Sequence, residues 1–333
     1  MIGFFEARAV TVSIEEIREF IAPDMRAVDE RIRARLRSDV ELIRRVADYI
    51  VGSGGKRLRP ALLVLSAGAF GYRGRDHHEL AAVIEFIHTA TLLHDDVVDE
   101  SGLRRGRATA NALFGNAAAV LVGDFVYSRA FQMMVGVRDL RVLEVLADAT
   151  NVIAEGEVMQ LASCHDPELD EEGYLAVVRR KTAKLFEAAT RIGAILGGAA
   201  PAAEEAMARY GLHLGTAFQL IDDVLDYTGE PALTGKNLGD DLAEGKPTLP
   251  LIHAMRRGAP EHAACVRRAI ERGGRADLAA VMEAIRASGA IEYARERARA
   301  EASAACGALE AAPRSRHRDY LLQLAEFAVT RSY

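Results

Sequence analysis

The chain has no tryptophan, and aromatic residues make up only 6% of its 333 positions. That argues against a site that steers a cation with a wall of aromatic faces. Cysteine is scarce too: Cys164, Cys265 and Cys306 are odd in number and far apart. They suggest neither a disulfide framework nor a cysteine zinc site, and a reducing compartment is the natural expectation. Positive charge is not in excess, since the formal net charge is −6. A nucleic-acid partner, which normally leaves a basic footprint, is therefore not indicated. An anionic small molecule stays compatible, because a local basic cluster or a bound metal can outweigh the global sign. Charges interrupt the apolar stretches before the ~20 residues of a membrane span, and Met1 to Val10 lack a signal-peptide core. The expectation is a cytoplasmic protein without a transmembrane segment.

Period-two alternation is nearly absent, while Ala, Leu, Glu and Arg abound. Helical periodicity recurs instead, as in Ile32, Leu36, Val40, Ile43 and Ala47. The pattern predicts helices over 24–51, 76–100, 171–198, 202–228 and 275–309, with shorter ones between. Breaker-rich turns separate them, such as Gly52-Ser53-Gly54-Gly55 and Gly197-Gly198. One long irregular stretch, Gly229 to Lys246, reads as functional or mobile. No linker or fixed-period repeat divides the chain, so residues 1–333 read as a single all-helical domain.

Residues 92–100 read Leu-Leu-His-Asp-Asp-Val-Val-Asp-Glu, and residues 218–227 read Phe-Gln-Leu-Ile-Asp-Asp-Val-Leu-Asp-Tyr. A helix sets Asp95 one turn from Asp99, and Asp222 one turn from Asp226, each pair on one face. Like charges at that spacing repel, and burying them costs more still unless something neutralises them. Solvated faces or N-caps are the bland explanation for one such motif. Two copies in apolar helices ask for cations between them. All-oxygen ligands select hard ions, and Mg²⁺ bridges carboxylates to substrate phosphates. A di-iron bundle would need paired Glu-x-x-His motifs. Glu85 and His88 make one such pair, and no second is found.

A basic set accompanies the aspartates. Gly54-Gly55-Lys56-Arg57-Leu58-Arg59-Pro60 forms a cationic turn suited to phosphate oxygens. His88 lies two turns before Asp95 on the same face. Arg104 and Arg105 follow the first motif, Lys181 and Thr182 sit in a later helix, Gln219 is one turn before Asp222, and Lys236 lies in the long loop. Each alone is more readily a surface charge or a core histidine; together they surround two carboxylate clusters.

In this order the motifs resemble the trans-prenyl diphosphate synthase family over roughly residues 50–250. Thr109-Ala110-Asn111, Val122-Gly123-Asp124 and Glu155 to Leu161 are similar to its long-chain branch, the bacterial octaprenyl enzymes in particular. The resemblance implies an isoprenoid-synthase-type helical bundle around a deep central cavity, a homodimer, and several Mg²⁺ ions per site. It implies that Lys56, Arg59, His88 and Arg105 hold isopentenyl diphosphate. Arg104, Lys181, Thr182, Gln219 and Lys236 would hold the allylic diphosphate primer, for example farnesyl diphosphate. Asp95, Asp99 and Asp222 would ligate the metal, with Asp226 bound directly or through water. The implied chemistry is ionisation of the allylic C–O bond, attack by the second substrate's double bond, and proton loss to the departing diphosphate. That leaves no side-chain base to assign. Alternatives are a shorter-chain geranylgeranyl-type synthase, a terpene cyclase, or a non-catalytic partner subunit. A cyclase fits poorly with so few aromatics, and a partner subunit fits poorly with a complete set of motifs.

A growing apolar tail should run from Asp95 toward the start of its helix. Ala90 stands five residues back, about 7.5 Å along the axis. Ala90 and Thr91 are small, so the expectation is an open path, with Met133 and Met134 as deeper stops. The bland alternative is that Ala90 merely permits close helix packing.

Overall fold

Apolar stripes repeating every three or four residues become buried helix faces throughout the described residues. The computed structural model describes residues 14–52, 57–104, 106–229 and 238–331. Lys56, Arg105 and Lys236 lie outside the described residues, as do Gly54 and Gly55.

The expected helix over 24–51 is two helices, α1 (Ile14–Arg35) and α2 (Glu41–Gly52). Between them the Ser38 hydroxyl accepts from the Val40 N–H at 3.2 Å, and the Ser38 carbonyl accepts from Arg44 at 2.9 Å. Such local side-chain bonding competes with the helix ladder. Val40, expected to face inward, is 55% exposed as a result. Ile32 and Ala47 are buried as expected, and Leu36 and Ile43 pack against the core from its edge.

The core is built on α3 (Leu58–Ala69) and α4 (Asp76–Val98). From Leu80 to Ile87 every residue of α4 is buried. It packs on α1, on α3 and on α6 (Asn116–Val137). Between α4 and α6 come a two-strand antiparallel ribbon, β1 (Leu103–Arg104) with β2 (Arg107–Ala108), and the short α5 (Ala110–Phe114). By length and composition α6 could cross a membrane. Yet it carries Asp124 and Arg129 and lies along the buried α4.

The expected helix over 171–198 is interrupted. Following α7 (Leu140–Ser163), α8 (Glu171–Val178) and α9 (Lys184–Leu196) are joined by a π turn, Arg179–Ala183. Insertions of this kind recur at functional sites, and this one carries Lys181 and Thr182. Glycines make room for it. A Cβ at Gly156 of α7 would stand 2.6 Å from the Lys181 nitrogen. One at Gly215, in α10 (Pro201–Thr228), would stand 2.6 Å from Ala183 Cα.

Helix α10 packs against α9 and α15. The rest of the chain forms α11 (Asp240–Ala243), α12 (Leu249–Arg257), α13 (Pro260–Arg272), α14 (Leu278–Ala287), α15 (Ala290–Ala308) and α16 (Arg316–Thr330). The helix expected over 275–309 divides at Gly289, whose φ of 69° closes α14 in the left-handed region that glycine enters at little cost. The result is the expected all-α bundle, with the two aspartate motifs at the C-terminal ends of α4 and α10.

Candidate active site

Asp99 caps α4: its N–H donates to the Asp95 carbonyl at 2.8 Å. Asp95 and Asp99 thus keep their one-turn separation. Asp222, Asp223 and Asp226 fill the last turns of α10. Neither helix has a basic residue in its last turn. The C-terminal end of a helix is its negative pole, so these carboxylates oppose the helix dipoles as well as one another. Compensating cations must come from elsewhere in the chain.

They arrive from three segments. Lys181, set by the π turn, places Nζ 3.4 Å from Asp95 Oδ2 and 2.5 Å from Glu157 Oε2. Lys246 places Nζ 2.9 Å from Asp99 Oδ2 and 2.5 Å from Glu244 Oε2. Arg331, just past α16, reaches Asp222 Oδ1 at 2.7 Å and stacks on Phe218 with its guanidinium carbon 3.8 Å from the ring centroid. Burial alone would lower the Lys181 ammonium, but Asp95 and Glu157 outweigh it and hold it above the ordinary lysine value. Lys246 is raised further: Asp99 and Glu244 more than offset its burial. Burial pushes Glu157 up to about 7, even with Lys181 beside it.

A hydrogen-bonded chain backs the site. Thr182 Oγ1 donates to Gln219 Oε1 at 3.0 Å, Gln219 Nε2 donates to Asp223 Oδ1 at 2.7 Å, and the buried Tyr174 hydroxyl donates to Asp223 Oδ2. Burial, with Asp241 and Asp222 nearby, pushes Asp223 up to about 8 against those two donors. The chain fixes the Gln219 side chain, and through it Thr182.

Asp95, Asp99, Arg104, Lys181, Thr182 and Gln219 all border one cavity of about 190 Å³. Six residues named from sequence are therefore neighbours in space. Others are placed differently. Arg104 also grips Asp96, through Nε at 2.8 Å and Nη2 at 2.6 Å. Asp222 does not border the cavity and faces Arg331. Asp226 accepts from the backbone of Asp240 at 3.2 Å and of Asp241 at 3.3 Å, anchoring α11. Arg59 and His88 meet at 3.1 Å, outside the cavity wall, with Arg59 stacked 4.5 Å over Phe186. Ala90, Met133 and Met134 are buried together in the main core, and Thr91 donates to the His88 carbonyl at 2.8 Å. A second, mostly apolar cavity of about 90 Å³ lies beside Phe86, Thr89 and Leu93 of α4 and shares Arg104 with the first.

The family profile described as polyprenyl synthetase matches residues 40–287. The chain belongs to the polyprenyl synthetase family. Octaprenyl diphosphate synthase of Escherichia coli strain K12 is 56% identical over 321 residues, covering 96% of this chain and 99% of that protein. The geranyl-diphosphate-specific all-trans-nonaprenyl-diphosphate synthase of Rhodobacter capsulatus is 46% identical, covering 95% and 98%. The crystal structure of polyprenyl synthase from Caulobacter crescentus CB15, complexed with calcium and isoprenyl diphosphate, superposes with a TM-score of 0.93 at 45% identity, covering 97% and 99%. This member of the family is a prenyltransferase, a long-chain all-trans polyprenyl diphosphate synthase.

The polyprenyl synthetase site contains residues that sequence reasoning passed over. Lys246, Tyr174, Gln160, Asp223 and Asp241 all border the cavity. Asp223 was in view only as the neighbour of Asp222. Lys246 had one local signal: Gly245-Lys246-Pro247 cannot continue a helix, and Gly245 has a φ of 69°. Nothing local says that Lys246 faces Asp99, 147 residues earlier.

Proposed function

We propose that this enzyme makes an octaprenyl-type chain by condensing isopentenyl diphosphate repeatedly onto an allylic diphosphate primer such as farnesyl diphosphate. It does so with magnesium, as a cytoplasmic homodimer. One observation carries the proposal: Asp95 and Asp99 meet Lys181 and Lys246 at one cavity, in a chain 56% identical to the E. coli octaprenyl enzyme.

The donor set suits a hard divalent ion. Oxygens of Asp95 and Asp99 already face positive charge, in the form of two ammonium groups. Among the described residues the two aspartate motifs do not bring three ligand atoms within 4.8 Å of one another. An ion that keeps waters and shares substrate phosphates needs only one or two carboxylates from each side. Asp95, Asp99 and Asp222, with Asp226, would hold the magnesium ions. Magnesium, when bound, neutralises the diphosphate oxygens and stabilises charge on the leaving group.

The side chains supply the rest. Lys181 and Lys246 bring charge to the allylic diphosphate at the cavity wall, Arg104, Thr182 and Gln219 extend that grip, and Lys236 would join them. Ion pairs hold the Lys181 and Lys246 donors, and hydrogen bonds hold those of Thr182 and Gln219, before the C–O bond breaks, which is what makes electrostatic stabilisation effective. Arg59, oriented by Phe186 and His88, would bind isopentenyl diphosphate with Lys56 and Arg105. The tail extends along α4 past Ala90 and Thr91 toward Met133 and Met134. The dimer uses the face carrying Leu113, Leu121, Val135, Leu140, Val158 and Leu161, each at least 52% exposed, on and beside α6 and α7. Apolar exposure on that scale marks an interaction surface.

Purified protein supplied with magnesium, isopentenyl diphosphate and farnesyl diphosphate should yield mainly the octaprenyl product by mass spectrometry. Chelation should abolish turnover and added magnesium restore it. Products that stop at the geranylgeranyl stage would overturn the chain-length assignment, and turnover that survives chelation would overturn the metal assignment.

A further inference from the structure

A second metal-ligating group lies at the other end of α4. Asp24 on α1 faces His77 and His78, in the first turn of α4. Asp24 Oδ1 stands 3.3 Å from His77 Nε2 and 2.8 Å from His78 Nε2. The three ligand atoms lie within 4.8 Å of one another, and no other such trio occurs among the described residues. Metal–ligand bonds of about 2.0–2.1 Å in a tetrahedral zinc site set ligand atoms about 3.3–3.4 Å apart. The Asp24–His77 separation matches that edge length, and the 2.8 Å Asp24–His78 separation falls about half an ångström short of it, within reach of a side-chain adjustment.

The surroundings suit a metal as well. The His77 and His78 side chains are 12% and 16% exposed, while Asp24 is 37% exposed, so the group opens to solvent on the carboxylate side. A water can complete the shell from there. His77 packs edge-on with Tyr72 at 5.4 Å, and the Tyr72 hydroxyl donates to Asp76 Oδ2 at 3.1 Å, which holds the ring's neighbour in place. Two imidazoles and one carboxylate select a borderline ion such as Zn²⁺ over the hard magnesium suited to the aspartate motifs.

We propose that Asp24, His77 and His78 form a Zn²⁺-class site that pins α1 to the start of α4. The site lies about 26 Å from Asp95, taking 17 residues at helical rise. It is therefore a structural clasp, separate from catalysis, and it does not depend on the octaprenyl assignment. The test is equilibrium dialysis of the full chain against zinc, with magnesium in excess to occupy the aspartate motifs. Substituting cobalt provides a spectroscopic readout, because four- or five-coordinate cobalt with nitrogen ligands absorbs visible light far more strongly than six-coordinate cobalt among oxygens. Wild type should hold one zinc per chain, with a melting temperature that rises with zinc. His77→Ala and His78→Ala should each weaken binding by at least about 10–100-fold, the cost of losing only an outer-shell partner. Asp95→Asn should keep the zinc and the cobalt bands. His77→Gln, which can still donate to Asp24, controls for folding: it should melt like metal-free wild type and show no rise with zinc. Zinc retained by the histidine variants, zinc lost in Asp95→Asn, or no zinc held by wild type would each overturn the proposal.

Discussion

Replacing Lys246 with alanine separates two roles of one ammonium group. Its Nζ lies 2.9 Å from Asp99 and 2.5 Å from Glu244, and its side chain is only 15% exposed. Removal leaves Asp99, at the C-terminal end of α4, and Glu244, just after α11, without the ammonium group that pairs with both. Breaking a buried ion pair from one side costs about 3–5 kcal/mol, because the partner's charge stays buried. Here the partners are 20% and 27% exposed, so water screens part of that penalty, and about 2 kcal/mol is expected. The loss should show as a lower urea midpoint in chelator. Magnesium with inorganic diphosphate should recover much of it, since the ion takes over the charge of Asp99. Kinetics should move separately. Losing a charge-assisted contact to the allylic diphosphate costs about 1.5–3 kcal/mol, roughly a ten- to hundredfold fall in kcat/KM for the primer. The KM for isopentenyl diphosphate should change much less. Equal stability of variant and wild type in chelator would refute the electrostatic argument. Unchanged primer kinetics would remove Lys246 from the diphosphate site.

Gly156→Ala should displace the π turn, since the new Cβ would stand 2.6 Å from the Lys181 nitrogen. A stability loss of about 1–3 kcal/mol and a sharp fall in kcat are expected, checked by denaturation and turnover; normal kcat would mean that the turn tolerates the shift. Ala90→Tyr should shorten the main product to the farnesyl or geranylgeranyl class, read by mass spectrometry, whereas an unchanged long product from a folded, active variant would place the tail elsewhere. Charges at Leu121 and Leu161, as Leu121→Asp with Leu161→Asp, should convert a dimer to monomers in sedimentation; a dimer that persists would move the interface to another face. Burial alone would raise Glu301, but His213 and Arg179 outweigh it and hold its carboxyl below the ordinary 4.5. Its stabilisation is present above that ordinary value and is lost as pH falls through the lower folded value. Glu301→Gln should therefore flatten the acid limb of the stability curve measured by urea titration, and an unaltered limb would contradict the assignment.

The all-α class and the two carboxylate clusters were legible in the sequence because both rest on local periodicity. A 3.6-residue repeat of apolar side chains marks a helix wherever it occurs, and aspartates four apart share a face in any helix. Helix limits were less legible where one side chain or one dihedral decides: Ser38 offers a competing turn, and Gly289 takes a φ of 69°. The π turn at Arg179–Ala183 depends on how closely α7 and α10 approach, and only Gly156 and Gly215 hint at it. The pairing of charges was not legible at all. Carboxylates at the ends of α4 and α10 announce a demand for cations, and that demand is local. Which cations meet it depends on chain segments folding back from far away: Lys181 to Asp95, Lys246 to Asp99, Arg331 to Asp222. Coulomb attraction carries no preference for sequence distance, so those pairings exist only once the bundle has packed.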